Sequence, residues 1–188
     1  MRSPGDTPFA DWLIPIFDTW FSKPSVTRIR LFENLLDLIL GGHSQTEGSG
    51  DGQLNLLTIE TDGAIEDVDL MKAAFSGAGA MHDAAGCRAT VFTHSFADLS
   101  TAPEFLERDR LHSFRGLCSD CRKCPIMRVC GGGILAHRWS KARRFDNPSV
   151  YCQDRTKLIR HIENVVGSEL QGLVQDGLVE KGLPAPVL

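Results

Sequence analysis

The chain has no excess of positive charge. Its 20 Lys and Arg are outnumbered by 24 Asp and Glu, giving a net charge of -4 and a pI near 5.8, so nucleic acid is not expected as the main partner. No apolar run reaches the roughly 18 residues of a membrane span. The opening Met1-Arg2-Ser3-Pro4-Gly5-Asp6 has one early positive charge and no apolar stretch of the secretory kind. The expectation is a protein of the reducing cytoplasm with no membrane attachment. There is no His-Glu-x-x-His, so zinc-protease chemistry has no support. No Gly-Lys-Ser/Thr follows Gly131-Gly132-Gly133, which is therefore not a phosphate loop. No internal repeat is visible. What remains, 188 residues at 42% hydrophobic, suffices for one ordinary domain with its own core and an appended helical end.

What the chain does have is concentrated cysteine. Five of its six cysteines, Cys118, Cys121, Cys124, Cys130 and Cys152, fall within 35 residues. Thiolates two residues apart on a tight turn converge on one metal centre, and soft thiolates select iron–sulfur clusters, zinc or iron. The Cys124-Pro125 step matches the Cys-Pro that closes bacterial ferredoxin runs. A disulfide framework is the competing reading of an even cysteine count. It fits poorly with a chain longer than small secreted scaffolds and with cysteines clustered instead of spread. The expected cofactor is a [4Fe–4S] cluster, with mononuclear iron or zinc as the alternative. Cys87, outside the block, reads as a core thiol.

Around this block the pattern predicts an α+β fold. Phe9 to Phe21 reads as a helix with Phe9, Leu13, Ile16, Phe17 and Trp20 on one stripe, and Pro15 argues for a kink or break in it. Ser25 can cap a second helix, Arg28 to Leu40, which Gly41-Gly42 stops. His43 to Gly52 is a polar loop. Leu54 to Thr61 and Ala64 to Val68 read as strands joined at Asp62-Gly63 in a type I′ turn, with a further short strand at Thr90 to Phe92. Ser100 to Phe114 reads as a helix that docks Phe105, Leu106, Leu111 and Phe114 and exposes Arg108. Loops and short turns, Leu117 to Cys130, then wrap the metal. Gly131 to Gly133 permit the backbone to approach it. Arg155 to Val166 is an amphipathic helix. The expected division is a helical segment at 1–52, a metal-binding domain at 53–166 and a tail at 167–188. Since 117–152 holds few apolar residues, its order is expected to depend on metal.

These residues resemble the SPASM domain, the auxiliary-cluster domain of radical S-adenosylmethionine enzymes that modify peptides and proteins. Its core pattern is Cys-x2-Cys-x5-Cys-x3-Cys, a gap and a final Cys. Cys121, Cys124 and Cys130 fit it, and Cys152 stands where the final ligand is expected. The wider text looks close to the actinobacterial maturases that crosslink ribosomal peptides into cyclophanes. The matching phrases are PFADWLIPIFD, TRIRLFE, ETDGAIE, CxxCPIMRVCGGG, FDNPSVYCxD and LIRHI, spread over residues 8 to 162. The resemblance implies a SPASM-like domain with a β-hairpin, flanking helices and a cysteine-rich loop region. It also implies one [4Fe–4S] cluster on Cys121, Cys124, Cys130 and Cys152. Cys118 is then either a buried thiol behind the ligands or a substitute for Cys121. The departures are as informative. The family's catalytic Cys-x3-Cys-x2-Cys is absent, and no radical barrel precedes Phe9, so this chain alone is not expected to cleave S-adenosylmethionine. Ligands for a further cluster are missing too: Glu66, Asp67, Val68 and Asp69 follow the hairpin where a cysteine is expected, and Ile134 takes the fourth core position.

Among the other residues, His137 is the best non-cysteine candidate for a ligand or proton donor, and so the catalytic candidate. His94 and His112 could reach the site, and His161 reads as a surface or packing residue. Arg138, Lys141, Arg143 and Arg144 form a basic run that reads as a solvated face able to dock an acidic group. Tyr151 and Trp139 would shield the metal. Two functions follow. One is a stand-alone SPASM-like metalloprotein serving peptide or natural-product modification by electron transfer or substrate binding, with a peptide or small-molecule substrate and a radical or other biosynthetic enzyme as partners. The other is a metalloenzyme with a single iron or zinc ion acting on a small molecule. A structural zinc domain is the third reading.

Overall fold

Pro8 begins the first helix at no cost, because the first N–H groups of a helix have no partner inside it. In the computed structural model, which describes residues 5–23, 27–52 and 56–175, α1 spans Pro8–Ser22. Thr7 supplies no side-chain cap. The Asp154 carboxylate does so instead, accepting from the Phe9 and Ala10 N–H groups at 2.9 and 3.1 Å. The expected break at Pro15 does not occur: α1 runs on through it. Pro15 lies on the exposed face, so water can satisfy the carbonyl it leaves without a donor.

Helix α2 spans Arg30–Ile39. The cap expected at Ser25 lies outside the described residues, and the observed cap position, Ile29, makes no side-chain bond. The helix ends as its two glycines require. Gly41 takes φ +89, its N–H donates to the Leu38 carbonyl and the Gly42 N–H to the Asp37 carbonyl, which closes the last turn.

The hairpin is shorter and differently turned than its sequence suggests. β1 is Thr58–Ile59 and β2 is Ile65–Glu66, antiparallel, with Ile59 opposite Ile65. Leu54 and Asn55, in the expected first strand, lie outside the described residues. The loop has three residues, not two: the Gly63 N–H donates to the Glu60 carbonyl and the Glu60 N–H to the Ala64 carbonyl, both at 2.9 Å. Only Gly63 has a positive φ, of 82°. The Asp62 carboxylate accepts from the Ala64 N–H and keeps Asp62 out of the left-handed region that a type I′ turn demands. The strand expected at Thr90 to Phe92 is a single bridge between Thr90 and Ala64.

The helix expected over Ser100 to Phe114 is divided. α3 is Phe96–Ser100, with Ser95 and Asp98 forming a reciprocal cap. Pro103 holds Ala102 extended and opens α4, Pro103–His112. Leu106 faces solvent and Arg108 is buried, the reverse of the expectation, because Arg108 donates to the Ala78 carbonyl at 2.7 Å and lies over the Phe145 ring. Two one-turn helices follow, α5 at Ser119–Arg122 and α6 at Met127–Cys130. The last helix, α7, spans Cys152–Gln175, starting before the expected Arg155 and crossing position 167 without a break. Among the described residues no helix is long and apolar enough to cross a membrane.

Helices α1, α2 and α7 bury Phe17, Phe32, Leu35, Ile39, Ile159 and Ile162 in one core, with Ile126 and Val129 inserted from beside and within α6. The expected boundary near position 53 lies at the edge of residues outside the description, and the chain on either side of it builds this core. A second core holds Val68, Met71, Leu135 and Phe145, and a third holds Ile65, Met81 and Leu99 under the hairpin. The 117–152 segment buries more apolar side chains than its composition suggested: Leu117, Ile126, Val129, Leu135 and Phe145 are all buried. Cys87 is not the expected core thiol. It is exposed, on a turn where the Asp83 carboxylate accepts from its N–H.

Gly131, Gly132 and Gly133 all have positive φ, of 61°, 76° and 72°. A Cβ on Gly131 would run into the Gly50 carbonyl oxygen. The close approach these glycines permit is thus to the chain itself, where the Gly50 N–H donates to the Val129 carbonyl at 3.0 Å. Gly131→Ala should cost about 2–4 kcal/mol, from backbone strain plus the clash. Gly77→Ala, with φ +79 and nothing within 4 Å, should cost only about 1–2 kcal/mol. Urea unfolding of both variants checks the difference.

Candidate metal centre

The short helices α5 and α6 and the first turn of α7 bring the five clustered cysteines together. Cys118 precedes α5, Cys121 lies within it and Cys124 follows it. Cys130 ends α6 and Cys152 begins α7. Cys118 is fully buried and the other four are half-buried; all are free thiols. Cys124 and Cys130 rest against the first core.

The thiols sense one another. Burial, then a hydrogen bond with Cys118, then the charges of Cys118, Cys130 and Cys152 push the Cys121 thiol up to about 12. Cys152 is raised by burial first and then by Cys130 and Cys124, while the Thr156 hydroxyl pulls the other way. Several thiolates cannot coexist here without a cation, because each like charge disfavours the next. Among the described residues no group of three or more His, Cys, Asp or Glu side chains stands ready to hold a single metal ion. The thiols share one electrostatic neighbourhood without meeting at one point.

Arg155, which sequence reading passed over, organises this neighbourhood. Its Nε donates to the Cys130 sulfur at 3.4 Å. Its Nη2 reaches the Cys130 carbonyl at 2.8 Å, the Gly48 carbonyl at 2.6 Å and the Ser49 hydroxyl at 3.0 Å. The signal was its place three residues after Cys152, on the same face of α7's first turn. Asn147 prepares that turn: its amide donates to the Arg138 and Arg144 carbonyls and to the Ser140 hydroxyl. The Ser149 carbonyl then accepts from the Cys152 N–H at 2.9 Å.

His137 feels the charge of Arg155, the residue that holds Cys130. Both line an apolar cavity of about 320 Å³ together with Phe9, Leu13, Leu31 and Tyr151. The Tyr151 ring meets Phe9 and His137 edge-on, with centroids 5.0 and 4.8 Å away. Burial, and then the Arg155 charge, hold His137 below the ordinary histidine range, so it enters the cavity wall as a neutral imidazole. Trp139 instead joins the second core, against Phe75 and Phe145. The basic run divides: Lys141, Arg143 and Arg144 are exposed, but Arg138 is buried.

The other histidines have their own partners. His94 lies 3.1 Å from the Asp83 carboxylate, and His161 lies 2.6 Å from that of Asp18. The His112 side chain, only 5% exposed, is 3.5 Å from Asp67, an electrostatic contact too long for a good hydrogen bond. Asp67 is wholly buried and stands 3.9 Å from Arg108. Asp67 Oδ2, Arg108 Nη1 and His112 Nε2 lack hydrogen-bond partners. These three side chains form a buried ionic pocket.

No protein-family model matches the chain. A curated protein does. The chain is similar to a cysteine-type anaerobic sulfatase-maturating enzyme. That relative, from Clostridium perfringens, is 26% identical over 152 residues, covering 77% of this chain and 37% of its own length. Solved structures of anSMEcpe share the fold. With bound AdoMet and a peptide, the TM-score is 0.65 at 22% identity, over 86% of this chain and 42% of that one. With bound AdoMet alone it is 0.66 at 23% identity, over 85% and 42%. The chain thus spans about two fifths of the length of these relatives.

The His137 environment gives a pH test. Its pKa is depressed by folding, so the unfolded chain takes up this proton near pH 6.5 and the folded chain only at lower pH. The stabilisation is present above about pH 6.5 and is lost as pH falls below it. Wild-type protein should therefore lose stability relative to His137→Gln as pH falls below about 6.5, read by thermal unfolding of the pair.

Proposed function

We propose that this chain is the SPASM-like iron–sulfur module of a peptide-modifying maturation system. Cys121, Cys124, Cys130 and Cys152 would hold one [4Fe–4S] cluster, with Cys118 behind Cys121. The observation that carries this reading is the mutual electrostatic influence of these thiols, with Cys130 held by Arg155, on a fold shared with an enzyme whose structure holds AdoMet and a peptide. The donor set is soft, and its thiols cannot all ionise without a cation. When bound, such a cluster supplies a one-electron relay shielded from solvent. The chain's residues supply the rest. Arg155 fixes Cys130 by donating to its sulfur and its carbonyl. The cavity beside it accepts an apolar side chain of a peptide and excludes water. His137, neutral at that wall, accepts or returns a proton.

A single iron or zinc ion is the second reading, favoured by the contact of Cys118 with Cys121. Anaerobic reconstitution distinguishes the two. About four irons and four sulfides per chain, with a brown chromophore, is the expected result. One metal without sulfide would replace the cluster with a mononuclear site. Serine at Cys121, Cys124, Cys130 or Cys152 should lower iron content sharply, and Cys87→Ser should leave it intact. Full iron in all four single variants would overturn the ligand assignment.

A further inference from the structure

Arg138 poses an electrostatic problem that the protein residues around it leave unsolved. It is 2% exposed and heads the largest fully buried side chains. Its Nη2 donates to the Leu111 carbonyl, and its Nε has no partner. Among the described residues no carboxylate is paired with it. Burying a guanidinium without a counter-charge is strongly unfavourable, and backbone carbonyls offset only part of that cost. Its Nη1 packs against Gly132, where an added Cβ would come within 3.3 Å, two residues from Cys130. Burial is the largest influence and holds the Arg138 guanidinium below its ordinary value; the charges of Cys121, Cys118 and Cys130 act against it. Arg110 adds to the effect of burial. Arg155 also serves this centre, but with four polar partners of its own. Arg138 has one.

We propose that Arg138 is the buried counter-charge of the thiolate centre, a positioning residue that sets how readily the centre accepts an electron. This rests on reading the thiols as a metal centre. With neutral thiols the guanidinium is uncompensated. With metal-bound thiolates, which keep a net negative charge, the pair is complete. A fixed positive charge beside an anionic redox centre favours the reduced state, since the added electron is partly neutralised. The Leu111 carbonyl and the Gly132 surface fix the position of the planar fork, two residues from Cys130.

The test compares wild type, Arg138→Lys and Arg138→Met, reconstituted anaerobically. It measures iron and sulfide content, midpoint potential by spectroelectrochemistry, and thermal unfolding with and without metal. Arg138→Met should move the potential negative by about tenfold in the reduction equilibrium, about 59 mV for one electron, while Arg138→Lys stays near wild type. Arg138→Met should also melt lower than wild type with metal and no lower without it. Full iron with unchanged potential, or equal melting losses with and without metal, would overturn the proposal. If Arg138→Met takes no iron, Arg138→Lys decides. Restored iron supports the role of charge, whereas loss in both, with the chain still folded, overturns it. A wild type that takes no iron fails the metal reading itself, and that is known before any variant is made.

Discussion

The guanidinium of Arg155 is the tie on which the rest of the arrangement depends. One planar group holds the Gly48–Ser49 loop, the end of α6 through the Cys130 carbonyl, and the Cys130 sulfur, all from the first turn of α7. Its neighbour Asp154 holds the N-terminus of α1, and Cys152, two residues earlier, is a proposed ligand. Three consecutive jobs on one helical turn couple the placement of α1, α6 and the polar loop to the placement of the thiols. A lysine at 155 would deliver one point charge and lose the fork that reaches several acceptors at once.

The fold was legible where a local pattern decides it. The stripes of α1 and α2 show at three- and four-residue spacing, and Gly41-Gly42 ends α2 as two glycines after a stripe should. Legibility failed where distant residues decide. Pro15 sits inside an intact helix because tertiary packing puts it on the wet side. Asp62-Gly63 makes a longer loop because the Asp62 carboxylate captures a backbone N–H. Arg108 looked solvated from its charged neighbours in α4, yet the Ala78 carbonyl and the Phe145 ring that bury it lie 30 or more residues away.

The candidate centre was legible in its cysteines and obscure in its cations. Cysteine spacing names a chemistry because few other residues have it. Arginine spacing names none, since a solvated Arg143 and a buried Arg138 look alike in a basic run. The ionic pocket of Asp67, His112 and Arg108 was hidden for the same reason. Its members are far apart in sequence, and each has an ordinary surface role elsewhere. Three partnerless polar atoms in one buried place cost stability, so this part of the molecule sits closer to its tolerance than the helical core does.

Gly131, Gly132 and Gly133 carry a consequence for how the gene can vary. Every single-base missense change of a glycine codon installs a side chain with a Cβ. At these positions that atom meets the Gly50 carbonyl, the Leu117 side chain or the Arg155 side chain, on backbone that strains any L-residue. No one-step substitution offers a lesser intrusion than alanine. Nucleotide drift across these nine bases is therefore either silent or damaging, and this segment of the gene has no graded route by which to explore other sequences.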